Sequence, residues 1–336
     1  MGKFPAMRSA IKPITNLIQE RPILAVFEVC LRCNSQCQYC DLPLNKGHTE
    51  MTRSQIRQVF SSLYQEGLRV LFVQGGEPLL RRDLPEILED LADLGFYLVL
   101  ITNGTLLTAE LSARFNGLPL QIAVSLDTLD RERYQKIRGR DQLPQVLRGI
   151  AALQNFSGFK SLVCIVSQVN QEDAIAVARF ARERGFMPIM GAYHWDVGEY
   201  GKVSDELMYQ KEAALAVFEA VLRSNLVPRG FFRDYVQDNL TWLSGKSLEP
   251  CDAGRYSIVI DSAGNVSPCL AHSSAGNLLE SPLPKIVSRF NFEEIQTCSQ
   301  RSSCNMLCSR VVGKNLRHPG LGLATLGSIQ LRRSFN

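Results

Sequence analysis

The sequence predicts an α/β protein: a parallel sheet with crossover helices, followed by a smaller cysteine-rich α+β segment. Three observations carry this. Strand-like and helix-like segments alternate without a break from residue 23 to about residue 194. That rhythm changes near Ser204. Nine of the ten cysteines fall into two groups, one within residues 30–40 and one within residues 251–308.

The elements follow in order. Residues 1–22 are polar with scattered apolar positions and read as an arm or a short helix. Ile23–Val29 is apolar throughout and fits a buried strand. Thr52–Glu66 places Ile56, Val59, Phe60, Leu63 and Tyr64 on one helical stripe, and Thr52 with Gln55 forms a capping-box start. Arg69–Gln74 is the second strand and Asp83–Leu94 the second helix, stopped at Gly95. Tyr97–Thr102, Gln121–Leu126, Phe159–Val166 and Met187–His194 continue the strands. Thr108–Phe115, Asp141–Asn155 and Gln171–Arg184 are the helices between them. Such βα alternation argues a parallel sheet, either curled into a barrel or open and doubly wound.

Beyond Ser204 the reading is two longer helices, Asp205–Arg223 and Phe231–Leu243, then a polar linker from Gly245 to Pro250. Tyr256–Ile260, a turn at Asp261–Gly264, and Val266–Cys269 read as a hairpin. Residues 317–336 are Gly-rich and basic and read as a loose tail. The boundaries are 1–22 for the arm, 23–225 for the βα region, 226–316 for the cysteine-rich domain and 317–336 for the tail.

Composition narrows the classes. Of 336 residues, 45% are hydrophobic and 21% charged, an ordinary globular balance. No apolar run reaches the ~18 residues of a membrane span, and no secretory signal is visible. A cytoplasmic protein with reduced thiols is expected. The net charge of +4 is not gathered into a basic run, so neither a nucleic-acid nor a membrane partner is expected.

Cys33, Cys37 and Cys40 form C-x3-C-x2-C directly after the first strand. Three thiolates on so tight a loop can hold three corners of a cubane cluster and leave one iron open. A zinc site that recruits Cys30 is the alternative on spacing alone. Gly75-Gly76-Glu77, Asn103, Ser125 and Asp127 each stand at the C-terminal end of a predicted strand, where ligands bind in parallel α/β folds. The two glycines allow a close backbone approach. Glu77 can accept from an ammonium, and Asn103, Ser125 and Asp127 can bond hydroxyls or a carboxylate.

Those motifs resemble the radical S-adenosylmethionine (SAM) superfamily. CNSQCQYC matches its cysteine signature, with Tyr39 before the last cysteine, and Gly75–Pro78 matches its GGEP motif. Thr102-Asn103-Gly104 and Ser125-Leu126-Asp127 match further elements, over about residues 23–195. The resemblance implies a partial (β/α)6 TIM-like barrel. It also implies a [4Fe–4S] cluster on Cys33, Cys37 and Cys40 that chelates SAM, and an electron donor such as flavodoxin or ferredoxin. Glu77 and the backbone of Gly75 and Gly76 would hold the methionine ammonium. Ser125 would touch the ribose with help from Asp127 and Asn103, and Tyr39 would lie near the adenine. Arg138 is a candidate for the SAM carboxylate, set against a solvated helix arginine.

The second group, Cys251, Cys269, Cys298, Cys304 and Cys308, resembles the SPASM/twitch extension, which carries auxiliary [4Fe–4S] clusters. Ile295 stands where that family has a cysteine, and five thiolates suffice for one auxiliary cluster, not two. A zinc ribbon is the alternative. Cys30 and Cys164 read as core residues.

The implied activity is reductive cleavage of SAM to methionine and a 5′-deoxyadenosyl radical that takes hydrogen from a substrate. Tyr193, His194, Trp195 and Asp196, after the sixth strand, are the expected substrate contacts, with a packed loop as the alternative. The few residues before the barrel are too few for a leader-binding domain, which favours a small metabolite or a peptide presented by a separate protein; maturation of a ribosomally synthesised peptide is the alternative. A non-catalytic electron carrier or zinc module would explain the cysteines but not the strand-end motifs.

Overall fold

A computed structural model describes residues 12–44, 49–194, 206–208, 210–301 and 303–333. A short helix, α1, covers residues 12–18. The βα run follows: β1 Leu24–Cys30, α2 Arg53–Gln65, β2 Val70–Gly75, α3 Leu84–Asp93, β3 Tyr97–Thr102, α4 Ala109–Phe115 and β4 Leu120–Ser125. Then come α5 Arg131–Arg138, α6 Leu143–Ala152, β5 Lys160–Val166, α7 Ala174–Glu183 and β6 Met187–Ala192.

These six strands are parallel and their spatial order is β6-β5-β4-β3-β2-β1. The order never reverses, so every crossover advances the same way round. A doubly wound sheet reverses at a switch point; the sequential order is that of a barrel wall. β1 and β6 do not pair with each other, so the barrel is partial. The helices cover its outside through one large apolar core that includes Phe27, Phe60, Leu88, Phe96 and Val146.

α5 departs from the sequence reading, which left residues 131–138 unassigned. Its apolar positions are too few to form a stripe, and only Tyr134, Ile137 and the Arg138 stem are buried. Local chemistry defines it instead. Asp130 caps its start by accepting from the Arg133 N–H at 2.8 Å. Gly139, at φ 70°, closes it in the left-handed conformation.

The cysteine-rich part continues the same sheet. α8 Lys211–Arg223 and α9 Phe231–Leu243 pack together, and α9 lies on β6. β7 Ser257–Ile260 then adds parallel to β1, with Leu24 opposite Ser257 and Phe27 opposite Ile260. β8 Asn265–Ser267 and β9 Gly276–Asn277 extend it antiparallel, making nine strands in one sheet. The expected hairpin is therefore present, as β7–β8, but it is a flap on the barrel's open edge. The small helices α10 Leu283–Val287, α11 Phe292–Arg301 and α12 Val311–Arg317 complete this part. Leu24, Val26 and Val259 on the sheet meet Cys308, Val311 and Val312, so β1 buries both of its faces.

Two expected elements differ. The helix predicted from Asp205 begins at Lys211; residues 195–205 lie outside the described residues. The expected loose tail contains α13, Pro319–Arg333. Its glycines argue against a helix by propensity, but Thr325 Oγ1 accepts from the Phe231 N–H at 2.9 Å and docks α13 on α9. Tertiary packing supplies what propensity lacks. No described helix is long and apolar enough to cross a membrane.

Candidate active site

The end of β1 departs from the β2 register between Glu28 and Cys30, where the pairing shifts to Cys30 opposite Gly75. This irregularity turns the chain into the Cys33–Cys40 loop. Gly76 N–H donates to Cys30 O and Glu77 N–H to Arg32 O, both at 2.8 Å. A Cβ on Gly75 would stand 2.0 Å from Cys30 O, and one on Gly76 would stand 2.1 Å from Arg32 O. The glycine pair is thus required first by the backbone of the cysteine loop. The expectation that it clears space for a ligand is corrected to that extent.

The loop is tied to β3. Asn103 Nδ2 donates to Asn34 Oδ1 at 2.7 Å, and Asn103 Oδ1 accepts from the Thr105 N–H at 2.9 Å. Ser35 Oγ donates to Gln142 Oε1 at 2.9 Å. Asn103 therefore spends its amide on holding the loop, where a ribose contact was expected. Asn34 and Ser35, two unassigned positions of the signature, carry this job.

Glu77 is fully buried. Its carboxylate accepts from Thr102 Oγ1 at 2.7 Å, from the Asn103 N–H at 2.7 Å and from the Leu79 N–H at 3.1 Å. Burial pushes its pKa up and these three bonds pull it back. About one of its four acceptor positions is unfilled, and none of the residue is exposed. Thr102, part of the Thr-Asn-Gly match but assigned no role there, belongs to this site. Ser125 ends β4 half-buried.

Asp127 and Arg138 meet. Arg138 Nη2 lies 2.7 Å from Asp127 Oδ2, with only 7% of the arginine side chain and none of the aspartate exposed. The Tyr39 hydroxyl donates to the same oxygen at 3.2 Å. The solvated-arginine alternative is overturned, since Arg138 is enclosed and paired. Asp127 is equally turned inward, away from a direct ribose contact.

Burial raises the pKa of all three thiols, Cys33, Cys37 and Cys40, and the charge of Cys37 raises Cys33 and Cys40 further. Burial pushes Cys33 up to about 11 and Cys40 up to about 12. Thiols so placed ionise when a metal centre supplies the compensating charge. Cys30 lies apart from them, its Sγ donating to Glu77 O at 3.3 Å. Cys164 is likewise a buried core thiol, donating to Asp127 O at 3.5 Å.

Cys251, Cys269, Cys298, Cys304 and Cys308 line one partly enclosed pocket, with Ile295, Met306 and His272. Burial pushes Cys304 up to about 12 and Cys308 to about 11. Yet no three His, Cys, Asp or Glu among the described residues converge on a single-ion point. The same holds for Cys33, Cys37 and Cys40, so the choice between zinc and an iron–sulfur cluster rests on the family comparison below.

Asn305, beside Cys304, joins this pocket to β6 and was not singled out in the sequence. It is fully buried. Its Nδ2 donates to Asn239 Oδ1 at 3.2 Å, and that oxygen also accepts from the Ala192 N–H at 3.2 Å. Tyr235 donates to Asn305 O at 3.0 Å.

Tyr193 and His194 are corrected as substrate contacts. Tyr193 is 1% exposed and packs 6.3 Å from the Tyr39 ring. His194 Nε2 accepts from the Asn305 N–H at 2.8 Å, and its ring leans on Trp242 with 4.6 Å between centroids. Asp196 and Trp195 lie outside the described residues.

Burial, then the charge of Arg310, pushes His194 down from 6.5 to about 4. The folded state thus binds this proton less well than the unfolded state. The group's stability contribution is full above about pH 6.5 and is lost as pH falls toward 4. The loss amounts to about 3 kcal/mol. His194→Gln, which keeps an acceptor but cannot titrate, is expected to flatten the acid limb of stability in urea melts taken across that interval.

Residues 27–181 match the family model of the radical SAM superfamily. This chain belongs to the radical SAM superfamily. Residues 251–310 match the SPASM model, an iron–sulfur cluster-binding domain. The radical SAM chain is 30% identical over 212 residues to a GTP 3′,8-cyclase of Aliarcobacter butzleri, covering 60% of this chain and 66% of that protein. It is 28% identical over 267 residues to the GTP 3′,8-cyclase of Ectopseudomonas mendocina, covering 74% and 78%. The match therefore spans just under two thirds of the first cyclase.

Among solved structures, SuiB of Streptococcus suis bound to its precursor peptide SuiA has a TM-score of 0.67 at 16% identity, covering 85% of this chain and 70% of that one. Native anSMEcpe with bound AdoMet has a TM-score of 0.61 at 18% identity, covering 82% and 83%. These likenesses show the fold. The radical SAM chain is an enzyme that works with a [4Fe–4S] cluster, SAM and auxiliary iron–sulfur chemistry. The zinc module and the non-catalytic carrier are thereby set aside.

Proposed function

We propose that this radical SAM enzyme carries out a net oxidation or bond-forming reaction on a small polar metabolite, using one auxiliary cluster. Cys33, Cys37 and Cys40 would hold the SAM-binding cluster, and four of Cys251, Cys269, Cys298, Cys304 and Cys308 the auxiliary one. When bound, these groups supply cleavage of SAM to methionine and a hydrogen-abstracting 5′-deoxyadenosyl radical, and a place for the electron a substrate radical gives up.

The observation that carries this reading is the joining of the cysteine-rich segment to the barrel's own sheet. β7 pairs directly with β1, and Asn305 bonds the auxiliary loop to the end of β6. A second cluster meant only to stabilise a separate domain needs no such tie to the barrel wall. The protein's own part is positioning: Asn34, Asn103 and Gly76 hold the cysteine loop, and Glu77 keeps one acceptor position unfilled. A flavodoxin- or ferredoxin-type donor would supply the reducing electron. The nucleotide named for the cyclase relatives supports a small, polar substrate over a peptide.

The test is hydrogen transfer. Iron-loaded enzyme is incubated with SAM, reductant and deuterated metabolite pools, nucleotides first, and 5′-deoxyadenosine is examined for deuterium by mass spectrometry. Label from a small molecule supports the proposal; label only from deuterated peptides overturns it. For the auxiliary site, a Cys251→Ala/Cys269→Ala variant is expected to lose about four irons per chain. It is expected to keep forming 5′-deoxyadenosine from SAM while making no product.

A further inference from the structure

Next to Cys37 stands a buried charge that the scheme above does not use. Arg138 is 6% exposed. Its Nη1 donates to Cys37 Sγ at 3.8 Å while Nη2 pairs with Asp127 Oδ2 at 2.7 Å. Its Nε is buried and has no hydrogen-bond partner among the described residues. The guanidinium carbon lies 5.3 Å from the Tyr39 ring centroid.

The backbone fixes this arrangement. Gln36 N–H donates to Arg138 O and Gln38 N–H to Ile137 O, both at 3.0 Å, one on each side of Cys37. Gly139 allows the approach: a Cβ there would stand 2.3 Å from Gln36 O. The end of α5 is therefore sewn to the cysteine loop at the residue whose sulfur the arginine reaches. A buried cation with an unpartnered Nε is costly to keep, and a fold seldom keeps one beside a ligand sulfur without a use.

We infer that Arg138 is a positioning residue for electron transfer: its donor and charge at Cys37 raise the reduction potential of the SAM-binding cluster, and Asp127 offsets part of that effect. The inference rests on the assignment of Cys33, Cys37 and Cys40 as ligands. Reduction adds negative charge to the cluster, and a cation or hydrogen-bond donor at a cluster sulfur favours the reduced state. Inside the protein the screening is weak, so one fixed charge counts.

The test is a potentiometric titration of the full iron-loaded chain followed by electron paramagnetic resonance, without SAM. Leaving SAM out removes any effect of an arginine contact to its carboxylate. The relevant signal is the one absent from a Cys33→Ala/Cys37→Ala/Cys40→Ala variant and altered when SAM is added afterwards.

Arg138→Gln is expected to lower the midpoint, cutting the reduced-to-oxidised ratio at a fixed potential about tenfold, or about 59 mV for one electron. Asp127→Asn is expected to move it the opposite way, because it leaves the arginine uncompensated. General loosening of the site would move both variants in one direction, and that result, or an unmoved midpoint, overturns the inference. If Arg138→Gln takes up no iron, Asp127→Asn decides by its sign, with Arg138→Lys expected to stay within the tenfold. A signal that survives in the triple cysteine variant would instead remove the ligand assignment, a failure distinct from an unmoved midpoint.

Discussion

Replacing Cys33, Cys37 and Cys40 together by alanine is expected to reduce 5′-deoxyadenosine formation to the level of an enzyme-free control. The measurement is mass spectrometry after anaerobic loading with iron and sulfide, reduction by dithionite and addition of SAM. The expected effect is complete because each of these thiols sits in the loop between β1 and α2. Cys30, the adjacent cysteine in the sequence, is bonded to Glu77 O and buried in the core. It has no freedom to substitute for a missing ligand. Cys30→Ala is therefore the contrasting variant: it is expected to keep iron and activity and to lose only the modest stability of a small buried group. Equal loss of activity in Cys30→Ala would return the site to a four-cysteine arrangement.

Gly76→Ala is expected to destabilise the protein by about 3 kcal/mol or more, or to leave no soluble folded chain. The added methyl would meet Arg32 O at 2.1 Å and Leu31 O at 2.5 Å. Both are backbone atoms of the strand-to-loop junction and cannot rotate away. Gly75→Ala adds a second penalty, because Gly75 sits at φ 142° as well as 2.0 Å from Cys30 O. Gly320→Ala is the contrast: a Cβ there meets nothing within 4 Å, and because Ala favours helix α13 over Gly its effect is expected to lie between neutral and about 1 kcal/mol stabilising. Urea melts measure all three. A Gly76→Ala protein that melts like wild type but fails to bind SAM would show that the glycine serves the ligand rather than the backbone.

Much of the fold was legible because its signals are local. Thr52 and Gln55 do form the reciprocal cap of α2, with Thr52 N–H donating to Gln55 Oε1 at 2.9 Å. The stripe Ile56, Val59, Phe60 and Leu63 is the buried face of that helix. Helix α5 was invisible for the converse reason. Its stabilisers are an aspartate cap, a left-handed glycine and ion pairs, none of which produces a hydrophobic period. α13 was misread because a contact to Phe231, distant in sequence, outweighs its glycine content.

The candidate site divides the same way. The spacing of Cys33, Cys37 and Cys40 and the strand-end positions of Glu77 and Asn103 could be read directly. What they touch could not. Tyr193 and His194 follow the last strand of a parallel run whose first four members end in site residues, so position alone favoured the mouth. One is instead packed on Tyr39, and the other is held by Asn305, 111 residues away.

The sequence by itself determined the chemistry: two thiol groups, their spacing, and a run of βα units that brings strand ends to one side. Those properties depend on neighbours a few residues apart. Only the tertiary structure decided that the second thiol group hangs on the barrel's own sheet through β7. The same holds for the glycines that make room for backbone, and for Arg138 meeting Asp127 and Cys37. Apart from the Arg138–Asp127 pair, each of these joins segments tens to hundreds of residues apart. Burial, the close approach of two backbones and the pairing of buried charges are set when the sheet closes, and no local pattern encodes them.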